Sequence, residues 1–217
     1  MFKGENQLYY LIQKLIAVPV LIISLVLHEL SHGLAAYIMG DRTAKDYGRL
    51  SLNPLKHVDW LGFFMLLVAG IGWAKPVPVN MMQFKDPKKG MAVTALAGPL
   101  MNILLVFVSL IFYALGGVYG YNKYIMLFIY IMAYYNAVLA MFNLLPIPPL
   151  DGSKVLFAFL PDRHYYKLMM YERYGMILIL LLSLTNLTSN IISTGVNNLI
   201  DRLWHVVINL LMAIGVG

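Results

Sequence analysis

Cysteine is absent from the 217-residue chain. This absence excludes a disulfide framework. It also excludes thiolate ligands, so any bound metal must use histidine and carboxylate. Charged residues are scarce as well: they make up 12% of the chain, against about 25% of an average soluble protein. So few charges cannot cover a soluble globule of this size, and no segment has the composition of an appended soluble domain.

Hydrophobic residues make up 60% of the chain, and the mean hydropathy is +0.73. We therefore expect an all-α polytopic membrane protein, a bundle of about five to six transmembrane helices in a single domain, residues 1–217. The net charge of +6 is typical of the lysine and arginine excess in cytoplasmic loops. Because no basic cluster alternates with exposed aromatic residues, we expect no nucleic-acid partner.

The most specific feature is the pattern His28-Glu29-x-x-His32, which lies inside an apolar run from residue 15 to residue 39. On a helix this spacing puts both imidazoles on one face, where they can bind a single zinc ion. Glu29 lies beside them, placed to accept a proton from water at the metal. The pattern predicts a zinc hydrolase working inside a membrane, because these side chains are unfavourable in hydrocarbon unless paired, metallated or hydrated. The alternative is a pair of packing histidines with an incidental acid.

Residues 49–80 are predicted to form a strand, a re-entrant helix at 60–72 and a second strand, with both strands in a short cytoplasmic β-hairpin. The central segment is too short to cross about 30 Å of hydrocarbon. Pro76 and Pro78 exclude a helix and suit an edge strand. Basic residues on both flanks predict that the chain returns to the side it left.

Further membrane crossings are predicted at 92–115, 124–145 and 174–187. The basic residues of 151–173 indicate that this stretch is cytoplasmic. The last segment, 198–214, carries a polar stripe on one helical face, made of Asn198, Asp201, Arg202, His205 and Asn209. The pattern is compatible with a helix along the membrane interface and with a span whose stripe faces the bundle.

A catalytic zinc site usually has three protein ligands, so one more histidine or carboxylate is required. Asp151 is favoured, because Pro146, Pro148 and Pro149 break the fourth apolar block just before it and open a polar notch at membrane depth. Its alternative role is to cap a helix predicted over 153–160. For the remaining acids and histidines, we favour an ordinary solvated or helical position over a role as metal ligand. They are Asp41, Asp46, Asp59, Asp86, Asp162, Glu172, His57, His164 and His205.

Three motifs, in this order, resemble the signatures of the site-2 protease family (peptidase family M50), intramembrane zinc metalloproteases. They are His28-Glu29-x-x-His32, Gly98-Pro99-x-x-Asn102, and Asn143-x-x-Pro146 running to Asp151. Residues 51–59 and 72–80 are similar to the compact bacterial and archaeal branch, for which no PDZ or CBS domain is expected. The resemblance covers residues 15–160, which we expect to be the catalytic core, with C-terminal helices at 172–217.

The resemblance implies one zinc ion per chain, held by His28, His32 and Asp151, with Glu29 as general base. It implies that the substrates are transmembrane segments of other membrane proteins. We expect the chain to be a multi-pass protein of the cell membrane, in contact with the lipid bilayer, with its active site towards the cytoplasm.

Two asparagines are further candidates for the catalytic machinery. The resemblance implies Asn143 as a polar helper close to the substrate. Asn102 or Asn143 is also suited to donate to the developing oxyanion. The alternative for Asn102 is to hold neighbouring helices together.

A substrate helix hides its peptide bonds, so it must unwind before cleavage. The strand predicted at 74–80 offers an edge for the unwound chain, although a rigid turn is an equal alternative. Two other functions stay open. A membrane metal transporter has no need of Glu29 at this spacing, and a non-catalytic scaffold that binds membrane segments has no need of an intact ligand set.

Overall fold

The computed structural model describes residues 2–62, 64, 75–170, 175, 179, 181 and 186–216. The helices with described bounds are, in chain order, α1 (Phe2–Ile38), α2 (Thr43–Asp46), α3 (Pro87–Tyr119), α4 (Lys123–Asn143), α5 (Asp151–Ala158), α6 (Asp162–Met170) and α7 (Asn186–Ala213). Two short 3-10 turns, Pro54–Lys56 and Met81–Gln83, lie between α2 and α3.

Local signals set the ends of the two central helices. The Asp86 side chain accepts a backbone N–H of the first turn of α3, and Pro87 follows it where a missing N–H is harmless. Gly120 ends α3 at a φ of +68°, a left-handed conformation that glycine adopts without strain. Asn122 then caps the start of α4. The two helices are therefore joined by a tight turn.

Three described helices are long and apolar enough to cross a membrane: the part Tyr9–Ile38 of α1, then α3, then α4. This confirms the all-α polytopic membrane class. The predicted count of five to six spans is not met by the described residues. The predicted span at 174–187 and the predicted re-entrant segment at 60–72 lie largely outside them.

The helices form a bundle around α3. It packs against α1, α4, α5 and α7, while α1 also packs against α4. One core lies where α7 crosses the two central helices, and its fully buried members are Val106, Ala137 and Val207. α7 therefore uses its apolar face for the bundle, and its polar stripe is exposed on the opposite side.

The predicted short β-hairpin is wrong, since none of the described residues forms a strand. Residues 75–80 follow an irregular, non-helical path. One backbone hydrogen bond, from Lys75 N to His57 O at 2.8 Å, joins them to the described residues of 49–59. Pro76 and Pro78 have no N–H to donate to a β-ladder. The preference of strand prolines for sheet edges suggested a strand here, but that preference does not supply a neighbouring strand to pair with.

Charged side chains hold this extended segment in place of a second strand. Each uses a backbone group that a ladder would have used. Arg49 Nη2 donates to Lys75 O at 2.8 Å, Glu29 Oε2 accepts from Val77 N at 2.8 Å, and Asp41 Oδ2 accepts from Asn80 N at 2.7 Å. Segment 75–80 is thereby fixed against the C-terminal part of α1 and the loop that follows it.

Replacing Asp41 tests this bracing. Its fully buried carboxylate accepts from Thr43 N at 2.9 Å as well as from Asn80 N. In Asp41→Ala both N–H groups lose their acceptor, so we expect the free energy of unfolding in detergent to fall by about 2 kcal/mol or more. The exposed Asp46→Ala is the control and should stay within about 0.5 kcal/mol of wild type. Equal losses in the two variants would contradict the bracing role.

Candidate active site

Three ligand atoms from distant parts of the chain converge between α1 and α5. The Nε2 atoms of His28 and His32 are 2.9 Å apart. Asp151 Oδ2 lies 3.2 Å from the first and 3.3 Å from the second. All three residues are at most 9% exposed. Together they form a group that can hold a metal ion.

The dimensions of this triangle fit a metal ion. A tetrahedral ion with bonds of about 2.0–2.1 Å keeps its ligand atoms about 3.3 Å apart. The observed separations of 2.9, 3.2 and 3.3 Å are close to that value. Asp151 Oδ2 is buried without a hydrogen-bond donor of good geometry, as expected of an atom that ligates a metal. Two imidazoles and one carboxylate also leave a fourth position open, as in hydrolytic zinc sites.

Asp151 reaches the histidines because the chain breaks after α4. That helix ends at Asn143, and the proline-rich turn that follows contains a cis bond between Pro148 and Pro149. α5 then begins at Asp151, with Leu150 as its cap and no side-chain capping bond. The alternative role of Asp151 as a cap residue is therefore not what the structure has, and its carboxylate points to α1.

The remaining sequence candidates lie elsewhere. Asp41 and Asp86 accept backbone N–H groups, Asp162 pairs with Lys88 at 3.0 Å, and His57 Nε2 contacts Ser51 O at 2.7 Å. None of the described candidates joins the triangle, and Glu172 lies outside the described residues.

Hydrogen bonds at the Nδ1 atoms, on the side of each ring away from the triangle, orient both imidazoles. His28 Nδ1 donates to Asn102 Oδ1 at 2.5 Å, and His32 Nδ1 donates to the Thr94 carbonyl at 2.7 Å. With the proton on Nδ1, each ring turns the lone pair of Nε2 towards the centre of the triangle. A backbone carbonyl has no side-chain signature, so the contribution of Thr94 could not be found from the sequence.

Asn102 continues into a fully buried chain of hydrogen bonds that ties three helices together. Its Nδ2 donates to Asn136 Oδ1 at 2.8 Å, Asn136 Nδ2 donates to Ser24 Oγ at 2.9 Å, and Ser24 Oγ donates to Val20 O at 2.8 Å. This series of hydrogen bonds thus starts at His28 of α1 and returns to the same helix one turn earlier, at Ser24. Because the Asn102 amide donates to Asn136, its geometry suits orienting His28. Sequence reasoning missed Asn136, although a lone amide in an apolar block was a usable signal.

A cavity of about 420 Å³ opens onto the triangle. Glu29 lines it, and Val77 N–H holds the Glu29 carboxylate by its Oε2 atom. Asn143 lines it as well, with its Nδ2 donating to Leu139 O at 3.0 Å. The other lining residues are Pro76, Val77, Val79, Met81, Met91, Thr94, Ala95, Pro149 and Lys154.

Fold and site together define a polytopic membrane protein with a histidine–carboxylate centre of the hydrolytic type. Comparison with known proteins agrees. The family model described as Peptidase family M50 matches residues 120–184. The chain is 41% identical over 178 residues to "Putative zinc metalloprotease YwhC" of Bacillus subtilis, covering 79% of this chain and 81% of that protein. The chain belongs to peptidase family M50, which confirms the family predicted from the three motifs.

More distant relatives carry similar names. "Putative zinc metalloprotease Rip2" of Mycolicibacterium smegmatis is 28% identical over 171 residues, 76% of this chain and 64% of that protein. "Zinc metalloprotease MJ0392" of Methanocaldococcus jannaschii is 31% identical over 146 residues, 67% of this chain and 34% of that protein. No solved structure matches the chain at a significant level.

Replacing Gly98 tests how closely α3 packs against the imidazoles of His28 and His32. A Cβ at this position would come within 2.5 Å of His28 Cε1 and of His32 Nε2. Gly98→Ala should therefore displace an imidazole and lower metal affinity on the order of tenfold or more. Metal analysis of the purified protein measures the loss. On the same helix, a Cβ at Gly117 would meet nothing within 4 Å, so Gly117→Ala should keep the wild-type metal content. Full metal occupancy in both variants would refute the close approach.

Proposed function

We propose that the protein is an intramembrane zinc metalloprotease that hydrolyses peptide bonds within or near transmembrane segments of membrane proteins. The observation that carries this proposal is the triangle of two imidazoles and one carboxylate, with Glu29 in the same cavity. His28, His32 and Asp151 hold the zinc ion, and Glu29 is the general base. Membership of peptidase family M50 supports the same assignment.

When bound, zinc supplies Lewis acidity, which acidifies water and polarises the scissile carbonyl. Glu29 accepts the proton of the attacking water on its carboxylate and passes it to the amine nitrogen as the C–N bond breaks. Val77 N–H holds Oε2 of that carboxylate at 2.8 Å, which keeps Glu29 turned into the cavity. Asn102 is a positioning residue, because it fixes the proton of His28 on Nδ1.

Asn143 is the side chain we assign to substrate contact. It lies in the cavity, and one of its two N–H groups is used by Leu139 O. The second N–H is suited to a substrate carbonyl or to the oxyanion that develops from it.

Segment 75–80 is the proposed docking edge for the unwound substrate. Since Pro76 and Pro78 lack an N–H, the donors of this stretch that line the cavity are Val77 and Val79. Val77 N–H binds Glu29, and the Val79 backbone makes no hydrogen bond within the described part of the chain. Val79 can therefore replace backbone hydrogen bonds that a substrate helix loses on unwinding.

We place the active site towards the cytoplasmic side of the cell membrane, with the catalytic core at residues 15–160 of one membrane domain. The distribution of basic residues supports this orientation. Lys45, Arg49, Lys75 and Lys88 lie in or next to the loops at the end of the bundle that carries the site. The turn between α3 and α4, at the opposite end, is followed by Lys123 alone.

Glu29→Gln separates catalysis from metal binding. The amide cannot accept the proton, so we expect proteolysis of single-span substrates in detergent to fall by about 10²–10⁴-fold, the usual range for a general base. Zinc content should be unchanged, because Glu29 is not a ligand. Undiminished cleavage would refute the proposal. Metal flux into proteoliposomes that survives the substitution would favour the transporter alternative.

Asp151→Ala tests the ligand set. Removing one of three ligands should weaken zinc binding at least about tenfold, measured by competition with a chromogenic chelator. His164 is exposed on α6, away from the triangle, so His164→Ala is the matched control and should bind zinc like wild type. Unchanged affinity in Asp151→Ala would show that the third ligand is another group.

A further inference from the structure

α7 presents a polar stripe to the outside of the bundle. Its members are all exposed and lie on one face of the helix: Asn198, Asp201, Arg202, His205 and Asn209. They extend over about 17 Å of helix, at 1.5 Å per residue. None of the proposed catalytic steps uses them.

The opposite face of α7 shows how deep this stripe lies. Gly195 lies against the side chain of Met141 near the end of α4. Trp204 packs edge-on against Tyr113 of α3, with ring centroids 6.2 Å apart. Val207 is fully buried in the core shared with both helices. α7 therefore runs alongside two membrane-spanning helices, and its stripe lies at the depth of the hydrocarbon.

Such a stripe is highly unfavourable against lipid. Charged and amide side chains inside a membrane normally face protein or a water-filled cavity. Asp201 and Arg202 are neighbours in sequence, and adjacent residues on a helix do not face each other. In the described parts of the chain neither of them has an ion-pair partner. The surface therefore needs a partner that carries matching polar groups.

We propose that this stripe is the contact surface of a homodimer, in which α7 of a second copy of the chain lies against it. Both copies insert with the same orientation, so the two helices run parallel about a two-fold axis along the membrane normal. Each residue then meets residues of the same depth. Asp201 faces Arg202 of the second copy, and the reverse pair forms by symmetry.

The composition of the stripe favours this occupant. One acid beside one base makes the surface complementary to itself, which a stripe of a single charge sign would not be. The side-chain amides of Asn198 and Asn209 can each bond to the same residue of the second copy. The spacing agrees as well, because alternating steps of three and four residues, the spacing of a left-handed pair of packed helices, connect the exposed positions 191, 194, 198, 201 and 205.

The absence of cysteine makes this contact directly testable. Full-length chains carrying Asn198→Cys or His205→Cys are oxidised in native membranes. Leu210→Cys is the control, since Leu210 is exposed on α7 but lies about 120° around the helix from Asn198. We expect a disulfide-linked species at twice the chain mass of 24.5 kDa for the two stripe variants and its loss in the control. Equal cross-linking of all three, no cross-linking in the stripe variants, or cross-linking only to another protein would overturn the proposal.

A charge exchange tests the pairing itself in the Asn198→Cys background. Asp201→Arg sets arginines against arginines and should abolish the cross-link. Adding Arg202→Asp restores one acid and one base per copy and should restore the cross-link. Wild-type thermal stability and metal content in detergent serve as folding controls. A cross-link that survives Asp201→Arg, or that the folded double variant fails to recover, would overturn the ion pair as the basis of the contact.

Discussion

The rest of the structure depends on the meeting of two imidazoles and one carboxylate inside a membrane bundle. Three such groups are unfavourable in apolar surroundings unless each finds a charge or a hydrogen bond. The surrounding elements supply these partners. Gly98 lets α3 approach the rings, and Asn102 and the Thr94 carbonyl accept hydrogen bonds from the Nδ1 atoms of the rings. The break after α4 brings the Asp151 carboxylate within 3.3 Å of both Nε2 atoms.

The need of polar groups for hydrogen-bond partners also shapes the loop beside the site. Segment 75–80 cannot pair as a strand in the usual way, because alternate residues lack an N–H. Charged side chains of α1 and of the loop after it bind three of its backbone groups, Lys75 O, Val77 N and Asn80 N. Glu29 takes part both in the site and in holding segment 75–80, since it lines the cavity and also accepts a hydrogen bond from Val77 N–H. The position of the candidate base is therefore coupled to the segment on which we propose that substrate docks.

Much of the site could be predicted from residues alone. The spacing of His28 and His32 on an apolar helix predicted their shared face, and three prolines before Asp151 predicted a polar break, since both features follow from local backbone rules. The β-hairpin was wrong because proline spacing excludes a helix without providing a strand partner. The positions of Thr94 and Asn136 were not foreseen, because their contacts join residues more than thirty positions apart or use only a backbone atom.

The sequence by itself determined the membrane class, the family, the candidate ligands and the polar stripe of α7, because composition and short-range spacing act within one helix. Only the tertiary structure decided which carboxylate meets the histidines, which amide orients them and which way the stripe faces. Those outcomes depend on how helices pack against one another. A helix can present any of its faces to its neighbours until the whole bundle has buried its apolar surface and paired its polar groups.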